Sequence, residues 1–249
     1  MARLFIFIFI ISNQLTVLSQ CIEKEKITYG GDWGFTDYIH RCPTYSFAFG
    51  GDTSKNWNTL TDPIDIMQAP KNILPLKRYV ENKIKEFAGE SFFSNLRFDE
   101  VEVVYADRLK AFIDSGRQDV TLKYCKAKYF FYYNFVQDTL MRYNIGIAVN
   151  AAGKIMSPFS FPSKKDYKPF DTSFTYCKLI DIARRVKKDI EPIESISLEF
   201  DSKTRNFYYL ITEKIKKQKE GLNYINQVKI GASDLTKAQL TQKKVYIDY

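Results

Sequence analysis

Hydrophobic positions recur at helical spacing in two stretches of this 249-residue chain. The first stretch follows Pro75 and places these apolar side chains on one helical face: Leu76, Tyr79, Val80, Ile84 and Phe87. Gly89 is well placed to end this helix. The second stretch predicts another amphipathic helix, with Asp171 to Ser173 as N-cap residues. Its apolar side chains are Phe174, Cys177, Leu179, Ile180, Ile182, Ala183 and Val186.

Apolar runs of strand length follow each helix and are rich in β-branched and aromatic residues. They cover residues 96–105, 122–136 and 141–149 after the first helix, and 193–200, 207–215, 223–230 and 244–248 after the second. The apolar stripe of each helix must be buried, and a sheet rich in Phe and Tyr is the available surface. The sequence therefore predicts an α+β fold of two tandem units, each a helix packed on a small antiparallel β-meander.

The second half of the chain repeats the order of the first. An offset of 95 residues places Ile84 on Leu179 and Tyr105 on Phe200, and later strands match at offsets of 77 and 81. Offsets that are constant within elements indicate a duplication with loop insertions, although two generic α+β units could also match by coincidence. The predicted boundaries are 76–162 for the first unit and 171–249 for the second. An irregular leader over 21–75, with one or two short strands near 45–49, precedes them.

Residues 1–20 have the order of a secretory signal peptide. Arg3 precedes an apolar run from Leu4 to Ile11, which is too short for a transmembrane helix. We therefore expect an exported protein located in the periplasm, in the outer membrane or at the cell surface.

Leu18-Ser-Gln-Cys21 resembles the bacterial lipobox, although Gln20 stands where a small residue is expected. Cys21 is thus a candidate for lipidation, and we expect contact with a membrane only through such an anchor. Ordinary cleavage would instead leave Cys21 as a thiol or half-cystine. The four cysteines (21, 42, 125 and 177) allow three pairings. Cys21–Cys42 with Cys125–Cys177 is the pairing that joins neighbours in sequence.

The composition is that of an ordinary globular protein, with 45% hydrophobic residues and a net charge of +8. Such an excess could favour anionic surfaces. The lysines are scattered, which favours a solvated basic surface, and an exported protein rarely meets nucleic acid. We therefore expect no nucleic-acid partner.

The segment Ile147-Ala-Val-Asn-Ala-Ala-Gly-Lys-Ile155 resembles the strand and turn that mark the PepSY domain. In that family the turn reads Asp-Ala-x-Thr-Gly-Lys/Glu-Val, and here Asn150 replaces the Asp and no Thr is present. The resemblance implies tandem cystatin-like sheets in an exported, non-catalytic bacterial protein, associated with protease inhibition or binding in the cell envelope.

No catalytic, metal or cofactor motif emerges from the sequence. His40, the only histidine, lies near Cys42 without an orienting third group. Strand alternation puts Glu100 and Glu102 on one face, which we interpret as a solvated strand face. The sequence predicts no enzyme activity, no cofactor and no metal site.

Aromatic residues of the leader are the best candidates for a binding site: Trp33, Phe35, Tyr38 and Trp57. The sequence thus predicts an exported, non-catalytic binding or inhibitory protein of the bacterial cell envelope, with a protein partner at an open sheet face or edge strand. The alternative is an envelope hydrolase or a protein that binds a small apolar ligand in a pocket between helix and sheet.

Overall fold

The computed structural model of this protein describes residues 21–31, 46–50, 64–65, 71–104, 127–215 and 220–247. These residues form two compact units. The five-stranded unit comprises Gly30–Tyr167 and Phe200–Asn206. The four-stranded unit comprises the described residues before Gly30, together with Lys168–Glu199 and those from Phe207 onward.

The described part of the five-stranded unit contains two helices and five strands. In chain order they are β1 (Ser46–Gly50), β2 (Ile64–Asp65), α1 (Ile73–Ala88), α2 (Glu90–Phe93), β3 (Leu96–Val104), β4 (Ala127–Val136) and β5 (Arg142–Asn150). Across the sheet the order is β2-β1-β3-β4-β5. β1 and β2 are parallel, and the other neighbours are antiparallel. The first predicted helix and the three strands after it are therefore present.

α1 buries only part of the apolar stripe that its sequence predicts. Its buried residues are Ile73, Val80, Ile84 and Ala88, whereas Tyr79 of the predicted stripe is 41% exposed. Gly89 ends the helix with φ of +85°, a conformation that favours glycine, and its N–H donates to the Lys85 carbonyl at 2.9 Å. The expected helix end is thus confirmed.

α1 covers one face of the sheet. Asn72 Nδ2 donates to the Tyr129 hydroxyl at 2.7 Å, and the Lys77 ammonium lies 4.6 Å from the centre of the Phe98 ring. Phe98 is paired with Tyr133, whereas Glu100 is paired with Tyr132. Asp99 is therefore the extra residue of a β-bulge, and it turns Glu100 toward the face opposite Phe98.

The predicted turn after β5 is present. Asn150 Oδ1 accepts hydrogen bonds from the backbone N–H groups of Ala152 (3.0 Å) and Lys154 (2.9 Å). Gly153 has φ of +80°, and an isolated bridge pairs Val149 with Ile155. The Asn side chain thus organises this turn as an Asx turn.

In the described residues of the four-stranded unit, one α-helix precedes four strands, and a single 3-10 turn (Lys24–Lys26) lies before them. They are α3 (Tyr176–Val186), β6 (Ile193–Asp201), β7 (Asn206–Glu213), β8 (Gly221–Gly231) and β9 (Ala238–Ile247), and the strand order is β6-β7-β8-β9. α3 begins one turn later than we expected. Thr175 is its N-cap and its Oγ1 accepts from Lys178 N at 3.1 Å, while Asp171 Oδ1 accepts from Ser173 N in a separate turn.

The predicted fold of two tandem units, each a helix on a small meander, is wrong. Most of the regular structure is strand, and each sheet has additional partners. In the first sheet β1 occupies the free edge of β3, and β2 pairs in turn with β1. The first described segment also joins the four-stranded sheet, because Thr28 N donates to the Ile196 carbonyl at 2.9 Å beside a parallel bridge from Ile27. Free strand edges attract such partners from distant parts of the chain.

Candidate protein-binding surface and buried carboxyl pair

The predicted aromatic binding residues Trp33, Phe35, Tyr38 and Trp57 lie outside the described residues, as do Cys42 and Cys125. An aromatic binding surface in the leader therefore stays a prediction.

Cys21 forms a disulfide with Cys177, with Cα atoms 5.3 Å apart. This differs from the pairing of sequence neighbours, in which Cys21 would join Cys42. The bond ties the start of the described chain to the first turn of α3. A thioether-linked lipid would need the same sulfur of Cys21, so the disulfide and lipidation exclude each other. A disulfide indicates an oxidising, non-cytoplasmic environment. None of the helices in the described ranges is long and apolar enough to span a membrane.

Glu100 and Glu102 do not lie on a solvated strand face. Both are buried, at 3% and 2% exposure. They occupy the sheet face opposite α1, where Glu100 is in register with Tyr132. The Tyr132 hydroxyl donates to Glu102 Oε2 at 2.7 Å. Glu100 and Glu102 share one strand face, as the alternation predicts. The interpretation as a solvated face is wrong, because the neighbouring strand β4 is buried on both faces of the sheet.

Burial dominates the electrostatics of this carboxyl pair. Glu100 Oε1 has no hydrogen-bond partner among the described residues. Desolvation, followed by the nearby charges of Asp99 and Glu102, raises the pKa of Glu100 to about 9. Burial and the Glu102 carboxylate also raise the pKa of Tyr132. Glu100 is therefore a neutral acid at pH 7 and can donate a proton.

The pair does not extend into a metal centre in the part of the chain described. No three His, Cys, Asp or Glu side chains there come together in a way that could hold a metal ion.

A cavity of about 940 Å³ opens where the start of α1 meets the ends of β3, β4 and β5. Its lining mixes basic and acidic groups with apolar ones, including Lys77, Arg97 and Asp138. Lys77 forms an ion pair with Glu81, and Asp138 Oδ1 accepts backbone hydrogen bonds from the following turn. Lys77 and Asp138 are therefore engaged in local contacts, while other charged groups of the lining, such as Arg97, lie beside apolar ones.

The hairpin of β8 and β9 extends past the rest of the four-stranded sheet. β7 pairs with β8 only as far as Thr212 opposite Gln227. Beyond that point residues 221–226 of β8 pair with residues 242–247 of β9 alone among the described strands. We call these two segments the ribbon.

The ribbon exposes three large apolar or aromatic side chains on one face. Leu222 is 52% exposed, Tyr224 54% and Tyr246 68%. Leu222 lies directly opposite Tyr246, so the three are neighbours on the same face. Farther along β8, Val228 and Ile230 have the same orientation and are fully buried. The apolar face of the sheet therefore continues into the ribbon and becomes exposed to solvent there.

The ribbon is also basic. Lys243 and Lys244 lie next to each other on β9, and the Lys244 ammonium is 5.9 Å from the centre of the Tyr224 ring. Neither β8 nor β9 contains an acidic residue. The ribbon thus combines exposed aromatic surface with positive charge.

The ribbon was not identified from the sequence. Strands were predicted over 223–230 and 244–248, and both are present within β8 and β9. A signal was present, because polar Asn223 separates Leu222 from Tyr224 as Lys229 separates Val228 from Ile230. This spacing indicates that Leu222 and Tyr224 share one strand face. Only the register with β7 shows that β8 extends past β7 here, where this face is exposed.

Comparison of the chain with family models, with curated proteins and with solved structures gives no match. The resemblance to the PepSY domain therefore stays a prediction.

Proposed function

We propose that this chain is an exported, non-catalytic binding or inhibitory protein of the bacterial cell envelope, and that it contacts a protein partner through the ribbon. The exposed apolar face of the ribbon carries this proposal. Solvent-exposed large apolar side chains grouped on one strand face are typical of interaction sites. The Cys21–Cys177 disulfide supports a place outside the cytoplasm, and the signal-peptide pattern of residues 1–20 supports export.

Site-specific photocrosslinking tests this function. The photoreactive residue p-benzoylphenylalanine would replace Tyr224 or Tyr246 in the full chain, expressed in its native host. Tyr79 of α1, which is 41% exposed, is the matched control position. We expect one discrete protein adduct at both ribbon positions and none at Tyr79. Adducts of equal yield at all three positions, or none at the ribbon, would contradict the proposal.

Export is tested by the intact mass of protein purified from the native envelope, with and without reductant. We expect a chain that begins at or near Cys21 and gains two hydrogens for the Cys21–Cys177 bond on reduction. A chain that retains residues 1–20 would contradict export. A mass increased by acyl chains would show that Cys21 is lipidated and not disulfide-bonded.

A second function, the binding of a small ligand, is favoured by the cavity at the start of α1. Its charged lining suits a polar ligand better than the apolar one expected from the sequence. Native mass spectrometry of the purified protein distinguishes the two functions, because a bound small molecule would add a fixed mass that disappears on denaturation.

A further inference from the structure

We propose that β9 binds an extended acidic segment of a partner protein, which adds to the four-stranded sheet as a fifth strand. This inference rests on the proposed function and specifies its partner. It assigns the recognition to the backbone edge of β9, to its two adjacent lysines and to its exposed apolar side chains.

The outer edge of β9 is long and open. β9 is the last strand in the sheet order, and its ten residues have no described strand on their outer side. None of these ten residues is buried. An edge of this length presents a row of N–H and C=O groups to which another strand can hydrogen-bond.

The charge of the edge selects the partner. Lys243 and Lys244 point to opposite faces of β9, so that acidic side chains at two adjacent positions of an added strand would meet one lysine each. Like charges opposite each other on paired strands are destabilising, and opposite charges stabilise. An acidic strand is therefore preferred to a neutral or basic one.

The same lysines oppose pairing with a second copy of this chain. The two-fold axis between symmetric antiparallel strands sets one residue directly opposite its own copy, so the registers that pair most of β9 are centred on Gln242 or on Lys243. Both registers bring the two copies of Lys243 close together on one face, and charged edge residues of this kind are the usual device against edge-to-edge association.

An anionic membrane is a poorer match than a strand. Tyrosine and lysine do suit lipid headgroups. An open strand edge, however, carries backbone groups whose hydrogen bonds a lipid environment cannot satisfy, whereas an added strand satisfies them.

The apolar side chains of β9 set the rest of the partner pattern. Leu240 and Tyr246 lie on one face, 48% and 68% exposed. Apolar residues of the added strand on that face would cover them. The preferred segment therefore carries two adjacent acidic residues flanked on both sides by apolar residues at alternating positions.

The test measures fluorescence anisotropy of a labelled ten-residue peptide of alternating valine and threonine with two adjacent glutamates at its centre, added to the full chain. A second peptide has lysines in place of the glutamates. We expect saturable binding of the glutamate peptide, at least tenfold tighter than that of the lysine peptide. Lys244→Glu should weaken the glutamate peptide about tenfold and improve the lysine peptide. Lys188→Glu, which changes an exposed lysine of the same unit outside the sheet, is the control and should leave both affinities unchanged.

Backbone pairing is tested with a glutamate peptide that is N-methylated at alternate residues along one edge. We expect it to lose binding if methylated on the edge that faces β9 and to keep it if methylated on the other. Equal binding of both methylated peptides would overturn strand addition.

Three other results would contradict an acidic strand as the partner. Each of them also shows separately whether the proposed function, binding of a protein partner through the ribbon, still holds. If neither peptide binds but the ribbon still forms photocrosslinks to a protein, the function stands and the acidic strand does not. If the chain sediments with anionic phosphatidylglycerol vesicles and Lys244→Glu abolishes this, the ribbon binds a membrane surface. If the chain dimerises at micromolar concentration and ribbon crosslinks join two copies, the occupant is a second copy.

Discussion

Glu100 should make the stability of this protein depend on pH in the opposite direction from an ordinary surface carboxylate. Its pKa is raised from 4.5 to about 9, mainly because the carboxyl group is buried, and secondarily by Asp99 and Glu102. The folded chain therefore keeps a proton that the unfolded chain releases above pH 4.5. Between these two values the unfolded state binds fewer protons, and the free energy of unfolding falls as the pH rises.

The size of this effect on stability follows from the pH range between the two pKa values. One bound proton corresponds to a slope of about 1.4 kcal/mol per pH unit. Between pH 6 and pH 8, Glu100 should therefore lower the free energy of unfolding by about 3 kcal/mol. Its contribution is fully present below pH 4.5 and is lost progressively up to about pH 9.

Glu100→Gln removes the titration while keeping the side-chain size. Guanidinium denaturation followed by circular dichroism at pH 5, 6, 7 and 8 would give the slope of stability against pH for both proteins. We expect the variant to lose about 1.4 kcal/mol per pH unit of that slope. Glu194→Gln, at an exposed position of β6, is the control and should keep the wild-type slope. An unchanged slope in Glu100→Gln would refute the assignment of a neutral, buried Glu100.

Three further predictions concern stability. Replacing Cys21 and Cys177 by serine should lower the free energy of unfolding by about 2–5 kcal/mol, because the bond closes a long loop in the unfolded chain; the wild type under reductant should match this variant in denaturation. Gly31→Ala should cost about 1–3 kcal/mol, because φ is +67° and the new Cβ would lie 2.6 Å from the Tyr143 ring; a melting temperature within a degree of wild type would contradict this. Thr175→Ala should cost about 1 kcal/mol through the loss of the α3 N-cap, measurable by the same denaturation, and Thr175→Ser should restore most of it.

Helices and the strands that follow them were predictable from the sequence because burial imposes a strong period on their residues. α1 and α3 each bury apolar residues at helical spacing, the bounds of β3 and β5 lie within one residue of the predicted ranges, and β4 ends at the predicted Val136. The neighbours of each strand were not predictable in the same way. An edge of β3 that accepts β1 has the same alternation as an edge left open.

The bulge at Asp99 shows what a closer sequence analysis could have found. Apolar positions of β3 change parity between Phe98 and Val101, which indicates one extra residue in the strand. Burial of Glu100 and Glu102 could not be found this way. A carboxylate at an alternating strand position is usually solvated, and the sequence of β3 contains no sign that both of its faces are buried.

Glu100 is a buried acid, and the ribbon exposes apolar side chains, so both are unusual. Of the two, only the ribbon can be covered by a partner without rearrangement of the protein. A ligand for Glu100 would have to reach a covered sheet face, whereas Leu222, Tyr224 and Tyr246 are already at the surface. Covering three side chains that are each about half exposed contributes roughly 1 kcal/mol apiece, or about 3 kcal/mol in all. This corresponds to an affinity gain of about a hundredfold before any backbone or ionic contact is counted. Because interfaces of preorganised proteins change little on binding, a partner can bind the ribbon with little structural change, whereas a ligand of Glu100 cannot.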